Sequence, residues 1–158
     1  MVTWKEFAAA ALAEAGRSLL DQFGVGLAFL ATVRKDGAPR LHPVCPVLSA
    51  DRLFVLITPT SPKRHDLRRD SRYGLQTCPQ PKPGSDEFYI AGKALLVANA
   101  ASRAAVLRDA KHMADPSEIA FELWIDRVMH TRWENVLTPQ MRPVHQKWRA
   151  SPGAGCAS

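Results

Sequence analysis

The sequence L-I-T-P-T-S-P-K-R-H-D-L-R-R-D, from Leu56 to Asp70, predicts the end of a β-strand followed by a basic helix. Ser61 is a residue type that caps helices by accepting a hydrogen bond from an early backbone N–H, and Pro62 suits the first helical position. Lys63 and Arg64 then lie in the first turn, where positive side chains are unfavourable beside the positive end of the helix dipole unless an anion binds there. The stretch therefore predicts a phosphate site, and by itself it leaves open a solvated basic turn on the surface.

Length and composition predict one soluble domain spanning residues 1–158. The chain is 46% hydrophobic and 23% charged, and it has no apolar run approaching the roughly 20 residues of a membrane-spanning helix. Acidic residues within an amphipathic pattern at the N-terminus do not favour a signal peptide. Three cysteines at wide spacings, without a C-x-x-C pair, argue against disulfides and favour a reducing compartment. We therefore expect a cytoplasmic protein with no membrane partner.

The net charge of +6 favours anionic partners. Nucleic acid is not favoured, because R-H-D-L-R-R-D alternates basic and acidic residues without the aromatic side chains on which bases stack. A metal site is not favoured either, since His42 and Cys45 are the only closely spaced pair among the histidines and cysteines. The sequence also lacks the G-x-S-x-G, Walker and paired-carboxylate motifs of common hydrolases and NTPases. Of the function classes considered, redox chemistry on a small-molecule substrate remains.

Residues 1–24 predict an N-terminal helix that begins with a capping box formed by Thr3 and Glu6. A second, crossover helix is predicted at Ala100–His112, and residues 132–158 form a tail without periodicity. Gly92 is expected to mark a bulge in the strand that contains it or a close approach by another backbone. Strands are predicted where apolar or alternating runs are bounded by turn residues: Val25–Val33, Pro39–Leu48, Arg52–Thr58, Tyr73–Cys78, Glu87–Ala98 and Ala120–Thr131.

These six predicted strands indicate a mainly β protein, a six-stranded antiparallel split β-barrel over residues 25–131 with inserted α-helices. Closure into a barrel is expected because it removes exposed sheet edges. The nearly continuous apolar run of the first strand predicts burial on both faces. The prolines of the second strand, which cannot donate to a ladder, place it at an edge or beside an opening.

Three segments in this order resemble the pyridoxamine 5'-phosphate oxidase-like family of FMN-binding split barrels. They are L-A-T-V-R-K-D-G-A-P-R-L-H-P-V at Leu30–Val44, S-P-K-R-H-D-L-R-R-D at Ser61–Asp70 and F-Y-I-A-G-K-A at Phe88–Ala94. The resemblance implies a homodimer that binds FMN at the subunit interface. The family also includes deazaflavin-dependent reductases and non-catalytic flavin- or haem-binding proteins, so these cofactors and functions are the alternatives, together with a cofactor-free relative that kept only the fold.

The resemblance also implies the residues that hold the cofactor. Lys63 occupies the position of the lysine that contacts the flavin phosphate, with Ser61 beside it. Trp124, Trp133 and Trp148 are candidates for a late aromatic that closes over the ring. No catalytic residue is assigned, because the isoalloxazine itself carries the electrons. The expected cofactor contacts are His42, Pro43, Val44, Cys45, Ile57, Thr58, Ser61 and Lys63.

The sequence departs from the pattern of the oxidases that process the vitamin. Those enzymes have arginine where His42 falls, lysine near Val47 and glutamine near Glu87. They also end with an R-x-H element, whereas this tail has Arg142 and His145 separated by one residue more. We therefore expect an oxidoreductase of this family that is not a pyridoxamine phosphate oxidase.

Overall fold

A computed structural model of the protein describes residues 1–151, so Cys156 lies outside the described residues. Helices occupy Trp4–Phe7 (α1), Ala13–Leu20 (α2), Pro62–Arg69 (α3) and Ala100–Asp109 (α4), and a 3-10 turn spans Gln22–Gly24. Strands occupy Ala28–Val33 (β1), Pro39–Val44 (β2), Pro46–Ser49 (β3), Arg52–Ile57 (β4), Arg72–Thr77 (β5), Glu87–Leu96 (β6), Ile119–Glu134 (β7) and Arg142–Arg149 (β8). The fold is therefore mainly β, as predicted. No helix within residues 1–151 is long and apolar enough to cross a membrane.

The strands form one curled antiparallel sheet in the order β2-β1-β5-β6-β7-β4-β3, with β8 added beside β7. The two ends of this path, β2 and β3, are consecutive in the chain and are separated only by Cys45. Because β2 pairs with β1 while β3 pairs with β4, this single stretch of chain bridges the two edges of the sheet. The split barrel with inserted helices predicted from the sequence is confirmed, although residues 1–151 form eight strands and not the six predicted.

The predicted strand Pro39–Leu48 is divided at Cys45, where the chain leaves β1 and turns to β4. Pro43 and Pro46 flank this point, and neither supplies the N–H that a continuous ladder needs. Pro46 also restricts the backbone of the residue before it. The division therefore lies where the sequence is least able to continue one uninterrupted strand.

The N-terminal segment is not the single helix that its apolar pattern predicts. The capping box is present, with the Thr3 N–H donating to Glu6 Oε2 at 2.6 Å, but α1 ends at Phe7 and α2 begins only at Ala13. Trp4 and Phe7 are fully buried, and their rings meet edge to face at 5.3 Å. Burial of these two rings against the barrel, a tertiary effect, outweighs the advantage of one longer helix.

The bulge predicted at Gly92 is confirmed by a register shift in the pairing of β6 with β7 between Ala91 and Gly92. A Cβ atom at this position would overlap the carbonyl oxygen of Trp124 and would lie 3.0 Å from the backbone nitrogen of Asp126. Glycine is therefore required by the close approach of the neighbouring strand.

The tail has more regular structure than the sequence predicted. β7 continues to Glu134 and β8 pairs with it antiparallel over the whole of Arg142–Arg149. An ion pair of 2.7 Å between Glu134 and Arg142 lies at the hairpin end of this pairing. Most side chains of β8 are exposed on both faces, so the strand lacks the apolar alternation by which strands are recognised.

Candidate functional site

Helix α3 begins at Pro62, and Lys63 and Arg64 lie in its first turn as predicted. The predicted side-chain cap is wrong, because the Ser61 hydroxyl accepts no hydrogen bond from the helix backbone. Backbone groups define the helix start instead: the Ser61 N–H donates to the Thr58 carbonyl at 3.0 Å, and the Arg64 N–H donates to the Ser61 carbonyl at 3.1 Å. The hydroxyl of Ser61, beside the first turn, is therefore not used as a helix cap.

Lys63 is half-buried and has no ion-pair or hydrogen-bond partner among residues 1–151. Burial, and then the nearby charge of Arg40, lower the pKa of the Lys63 ammonium. Both effects penalise the charged form, and an anion beside the ammonium would oppose both. The first turn of α3 therefore carries a cation whose surroundings favour a negatively charged ligand.

Arg40, Asp66 and Thr32 form a polar cluster that fixes α3 against β1 and β2. Asp66 Oδ2 accepts hydrogen bonds from Arg40 Nε at 2.7 Å and from Thr32 Oγ1 at 3.0 Å. Burial alone raises the pKa of the Asp66 carboxyl, but the bonds from Arg40 and Thr32, the charge of Arg40 and a longer contact with Arg69 hold it below its usual value. The carboxylate therefore stays ionised and orients Arg40 beside the helix start.

The sequence pattern did not predict this cluster, although the alternation of β2 groups Arg40 with His42. Arg40 and His42 alternate along β2 and so lie on the same face of the strand. In the pairing of β1 with β2, His42 lies opposite the buried Leu30 and Arg40 lies opposite the buried Thr32. His42 and Arg40 therefore share the side of β2 that faces α3 and the barrel interior.

A second basic side chain in the first turn is incompletely satisfied. Arg64 Nη1 donates to the carbonyl of Pro59 at 2.7 Å, while its Nε is buried and has no hydrogen-bond partner among the described residues. An unpaired buried donor is costly and uncommon in folded proteins. The helix start thus combines Lys63 with a partly unsatisfied guanidinium.

The remaining predicted contacts lie around the division between β2 and β3. Pro46, directly after Cys45, pairs with Val55, which lies two residues before the end of β4 at Ile57. Cys45 is half-buried, and burial followed by the charge of Glu118 raises the pKa of its thiol, which therefore stays neutral. The division thus brings the predicted residues of β2 close to the end of β4, from which the chain leads into α3.

These predicted residues differ in what they present to a ligand. Val44 and Ile57 are buried and belong to the core, so their side chains face inward, whereas Pro43 and Thr58 are exposed. Trp148 is also committed to packing, with its ring 5.0 Å from that of Phe7. Trp124 Nε1 is buried and has no hydrogen-bond partner within the described part of the chain, and Trp133 is half-buried.

The outer face of the sheet is apolar across several strands. β1 alternates between core and outer side chains, so the prediction that it is buried on both faces is wrong. Leu41 is 62% exposed and Phe29 36% exposed on this face. The strand registers place apolar or small residues there, with Gln76 lying between Phe29 and Tyr89 and Arg127 lying opposite Ala91; the apolar or small residues are Phe29, Ala31, Val33, Leu41, Pro43, Gly74, Tyr89, Ala91 and Met129.

The sequence profile of the pyridoxamine 5'-phosphate oxidase family matches residues 12–131. No curated protein sequence shows significant similarity to the chain. The haem-binding protein of Mycobacterium smegmatis shares its fold with a TM-score of 0.58 and 18% identity, over 82% of this chain and 57% of that protein, so the chain spans little more than half of this neighbour.

Two further solved structures are similar over nearly their full length. General stress protein 26 of Bacillus anthracis has a TM-score of 0.58 and 17% identity over 77% of this chain and 94% of its own. A NimC/NimA family protein of Clostridium acetobutylicum has a TM-score of 0.57 and 14% identity over 85% of this chain and 92% of its own. At these identities the similarity concerns the fold alone.

Proposed function

Since the chain belongs to the pyridoxamine 5'-phosphate oxidase family, we propose that it binds FMN by the flavin phosphate and performs two-electron oxidation or reduction of a small molecule. The observation that carries the proposal is Lys63, a half-buried cation at a helix start with no partner among residues 1–151. Helix starts favour phosphate because free N–H groups and the helix dipole act together there.

The residues around Lys63 fit a phosphate. Lys63 would pair with it, the uncapped hydroxyl of Ser61 is available to it, and the unpaired Nε of Arg64 supports a negative charge nearby. Arg40, which is held by Asp66, adds a positive charge beside the start of α3. Arg40 was not among the cofactor contacts predicted from the sequence. The bound flavin would supply the electron transfer, while these side chains hold and orient it.

The wider cofactor site in this proposal retains the contacts predicted from the sequence. It consists of the division between β2 and β3, the end of β4 and the start of α3, with the second subunit of a homodimer completing the site across the outer face. The residues assigned to it are His42, Pro43, Val44, Cys45, Ile57, Thr58, Ser61 and Lys63.

We do not assign pyridoxamine phosphate oxidation to this site. Val47 occupies the position near which the vitamin-processing oxidases have a lysine, and it is 3% exposed within a buried apolar cluster. A charged substrate contact there would require an ionised group in an apolar environment. The substrate is therefore expected to differ from that of those oxidases.

Lys63→Ala tests the phosphate assignment. We expect this variant to lose affinity for FMN by at least about tenfold, because a charge-assisted bond is removed, and to lose much less for riboflavin, which lacks the phosphate. Titration of apo-protein, followed by flavin fluorescence, measures both affinities. Arg68→Ala is the matched control, since Arg68 is an exposed cation on the same helix. Equal losses for FMN and riboflavin would remove Lys63 from the phosphate site.

Haem is the second candidate cofactor, because a structural neighbour is a haem-binding protein and His42 supplies a half-buried imidazole on β2. The absorption spectrum of the purified protein separates a flavin from a haem. Titration with FMN, a deazaflavin and haem separates all three, and binding of none would contradict the cofactor proposal.

A further inference from the structure

A cleft of about 250 Å³ lies beside β3, between the end of α2 and the end of α4. It shares no residue with the assigned flavin contacts or with the apolar set on the outer face of the sheet. Its volume is below the roughly 300–1,000 Å³ of sites for drug-sized ligands, so it suits a smaller molecule. The lining is Arg17, Leu20, Asp21, Pro46, Val47, Leu48, Asp109 and Lys111.

The charges of this cleft are balanced in number, but only one pair of them is formed. Lys111 makes an ion pair with Asp21, which links the segment after α4 to the end of α2. Arg17 and Asp109 line the same cleft without forming an ion pair with each other, and Arg17 has no ion-pair or hydrogen-bond partner among residues 1–151. A cation and an anion in one cleft are therefore both available to a ligand.

The carboxylate of Asp109 has capacity for a further donor. Its Oδ2 accepts a hydrogen bond from Ser49 Oγ at 2.6 Å, and its Oδ1 lies 3.7 Å from Nε of the exposed Arg108. A carboxylate has about four acceptor positions, so these two contacts leave room for an ammonium group. The bond from Ser49 also fixes the carboxylate against the end of β3.

β3 presents unpaired backbone groups as well. It is the last strand of the sheet path, so one of its edges has no neighbouring strand. Ser49 and Arg52 flank a two-residue turn, and in such a hairpin the flanking residues exchange both backbone hydrogen bonds. The N–H and C=O of Leu48 therefore point to the free edge, where no backbone group of residues 1–151 pairs with them. One more donor and one more acceptor thus belong to the cleft.

We propose that this cleft binds a small apolar α-amino acid in its zwitterionic form. The α-carboxylate would pair with Arg17, since guanidinium groups bind carboxylates in a bidentate manner, and the α-ammonium would pair with Asp109. The backbone N–H and C=O of Leu48 would add a donor for the first group and an acceptor for the second. The apolar side chain of the ligand would lie against Leu20 and Val47. The proposal does not rest on flavin binding.

The test compares L-leucine with two analogues that each lack one charged group, 4-methylpentanoate and 3-methylbutylamine. Calorimetric titration of the full-length protein at neutral pH and low ionic strength measures the three affinities. Wild-type protein should bind leucine about tenfold more tightly than either analogue, because each analogue loses one charge-assisted contact.

Two substitutions should act on different analogues. Arg17→Gln should lower the affinity for leucine and 4-methylpentanoate about tenfold without weakening the binding of 3-methylbutylamine. Asp109→Asn should lower the affinity for leucine and 3-methylbutylamine by a similar factor without weakening the binding of 4-methylpentanoate. Asparagine keeps an oxygen that can accept the bond from Ser49. A folding defect would weaken both analogues together, so the opposite selectivity of the two variants identifies the two contacts.

Two further variants are the matched controls. Arg68→Gln removes an exposed cation from α3, and Glu14→Gln removes an exposed anion from α2; neither residue lines the cleft. Both should leave the three affinities unchanged, which separates local pairing from the net charge of the protein.

Three results would overturn the proposal. They are failure of wild type to bind leucine, binding of leucine no tighter than that of the analogues, and equal losses for both analogues in Arg17→Gln or in Asp109→Asn. A loss in Arg68→Gln equal to that in Arg17→Gln would also overturn it, because the effect would then belong to the overall charge.

Discussion

Asp66 is the residue that connects the basic helix to the barrel. It is 3% exposed and accepts hydrogen bonds from Arg40 on β2 and Thr32 on β1. Removing one partner of such a buried pair leaves the other charge unsatisfied, which costs far more than the pair itself gains. The position of Arg40, and with it the positive charge beside Lys63, therefore depends on this carboxylate.

Asp66→Asn should lower the free energy of unfolding by about 1–3 kcal/mol, because it removes the charge while keeping the shape of the side chain. Chemical denaturation at neutral pH measures the change. Asp36→Asn is the control: its pair with Arg34, at 3.5 Å, is exposed, and exposed pairs contribute about 1 kcal/mol or less. Equal effects of the two substitutions would contradict the role given to Asp66.

The sign of the pH dependence follows from the lowered pKa of Asp66. A carboxyl that is more acidic in the folded state stabilises the protein above its unfolded pKa, near 3.8, and loses this contribution as the pH falls through its folded value. The stability difference between wild type and Asp66→Asn should therefore be constant near neutral pH and shrink below about pH 3.8. A difference that grew with acidification would have the wrong sign.

At the scale of the elements, the bulge at Gly92 shows how one position shapes two strands. Gly92→Ala should lower the free energy of unfolding by about 2 kcal/mol or more, because the added methyl group meets backbone atoms of β7 that cannot move aside cheaply. Gly74→Ala on β5 is the matched control, since its Cβ would make ordinary contact at 3.4 Å with the Tyr89 ring. Thermal unfolding of both variants tests the prediction, and similar melting temperatures would contradict it.

Elements with local signals were predictable from the sequence, and those set by distant contacts were not. Pro62 fixed the start of α3, and Asn99, a residue type that favours the position before a helix, caps α4 by accepting a hydrogen bond from the Ser102 N–H. The partners of Asp66 lie 34 and 26 residues away along the chain, so no local pattern reveals them. β8 was missed for the related reason that an exposed hairpin strand has no apolar period.

The candidate site was predictable to the extent that it lies on one strand–helix connection. Lys63 could be identified from its position after Ser61 and Pro62, whereas its interaction with Arg40 depends on the packing of α3 against β2. The break at Cys45 had a signal in Pro43 and Pro46, but those prolines predict an interrupted ladder without specifying which neighbouring strands the two halves join.

At the scale of the whole molecule, the curled sheet leaves apolar side chains of its outer face, such as Leu41 and Phe29, exposed. A barrel needs only its inner face to form a core, and extended exposed apolar patches in soluble proteins mark interaction sites. A self-complementary patch of this kind suits the two-fold interface of a homodimer. The outer face thus provides a surface on which the dimer implied by the family resemblance could form.

Leu41→Lys tests that interface, because Leu41 is 62% exposed on β2 and a charge there would be desolvated in a dimer. Light scattering should give wild type twice the chain mass of 17.4 kDa and shift Leu41→Lys towards a single chain. Met113→Lys is the control, since Met113 is fully exposed and lies outside the sheet. A monomeric wild type would refute the dimer. A dimeric Leu41→Lys variant would instead exclude this face as the interface, because a lysine buried there would have to be desolvated.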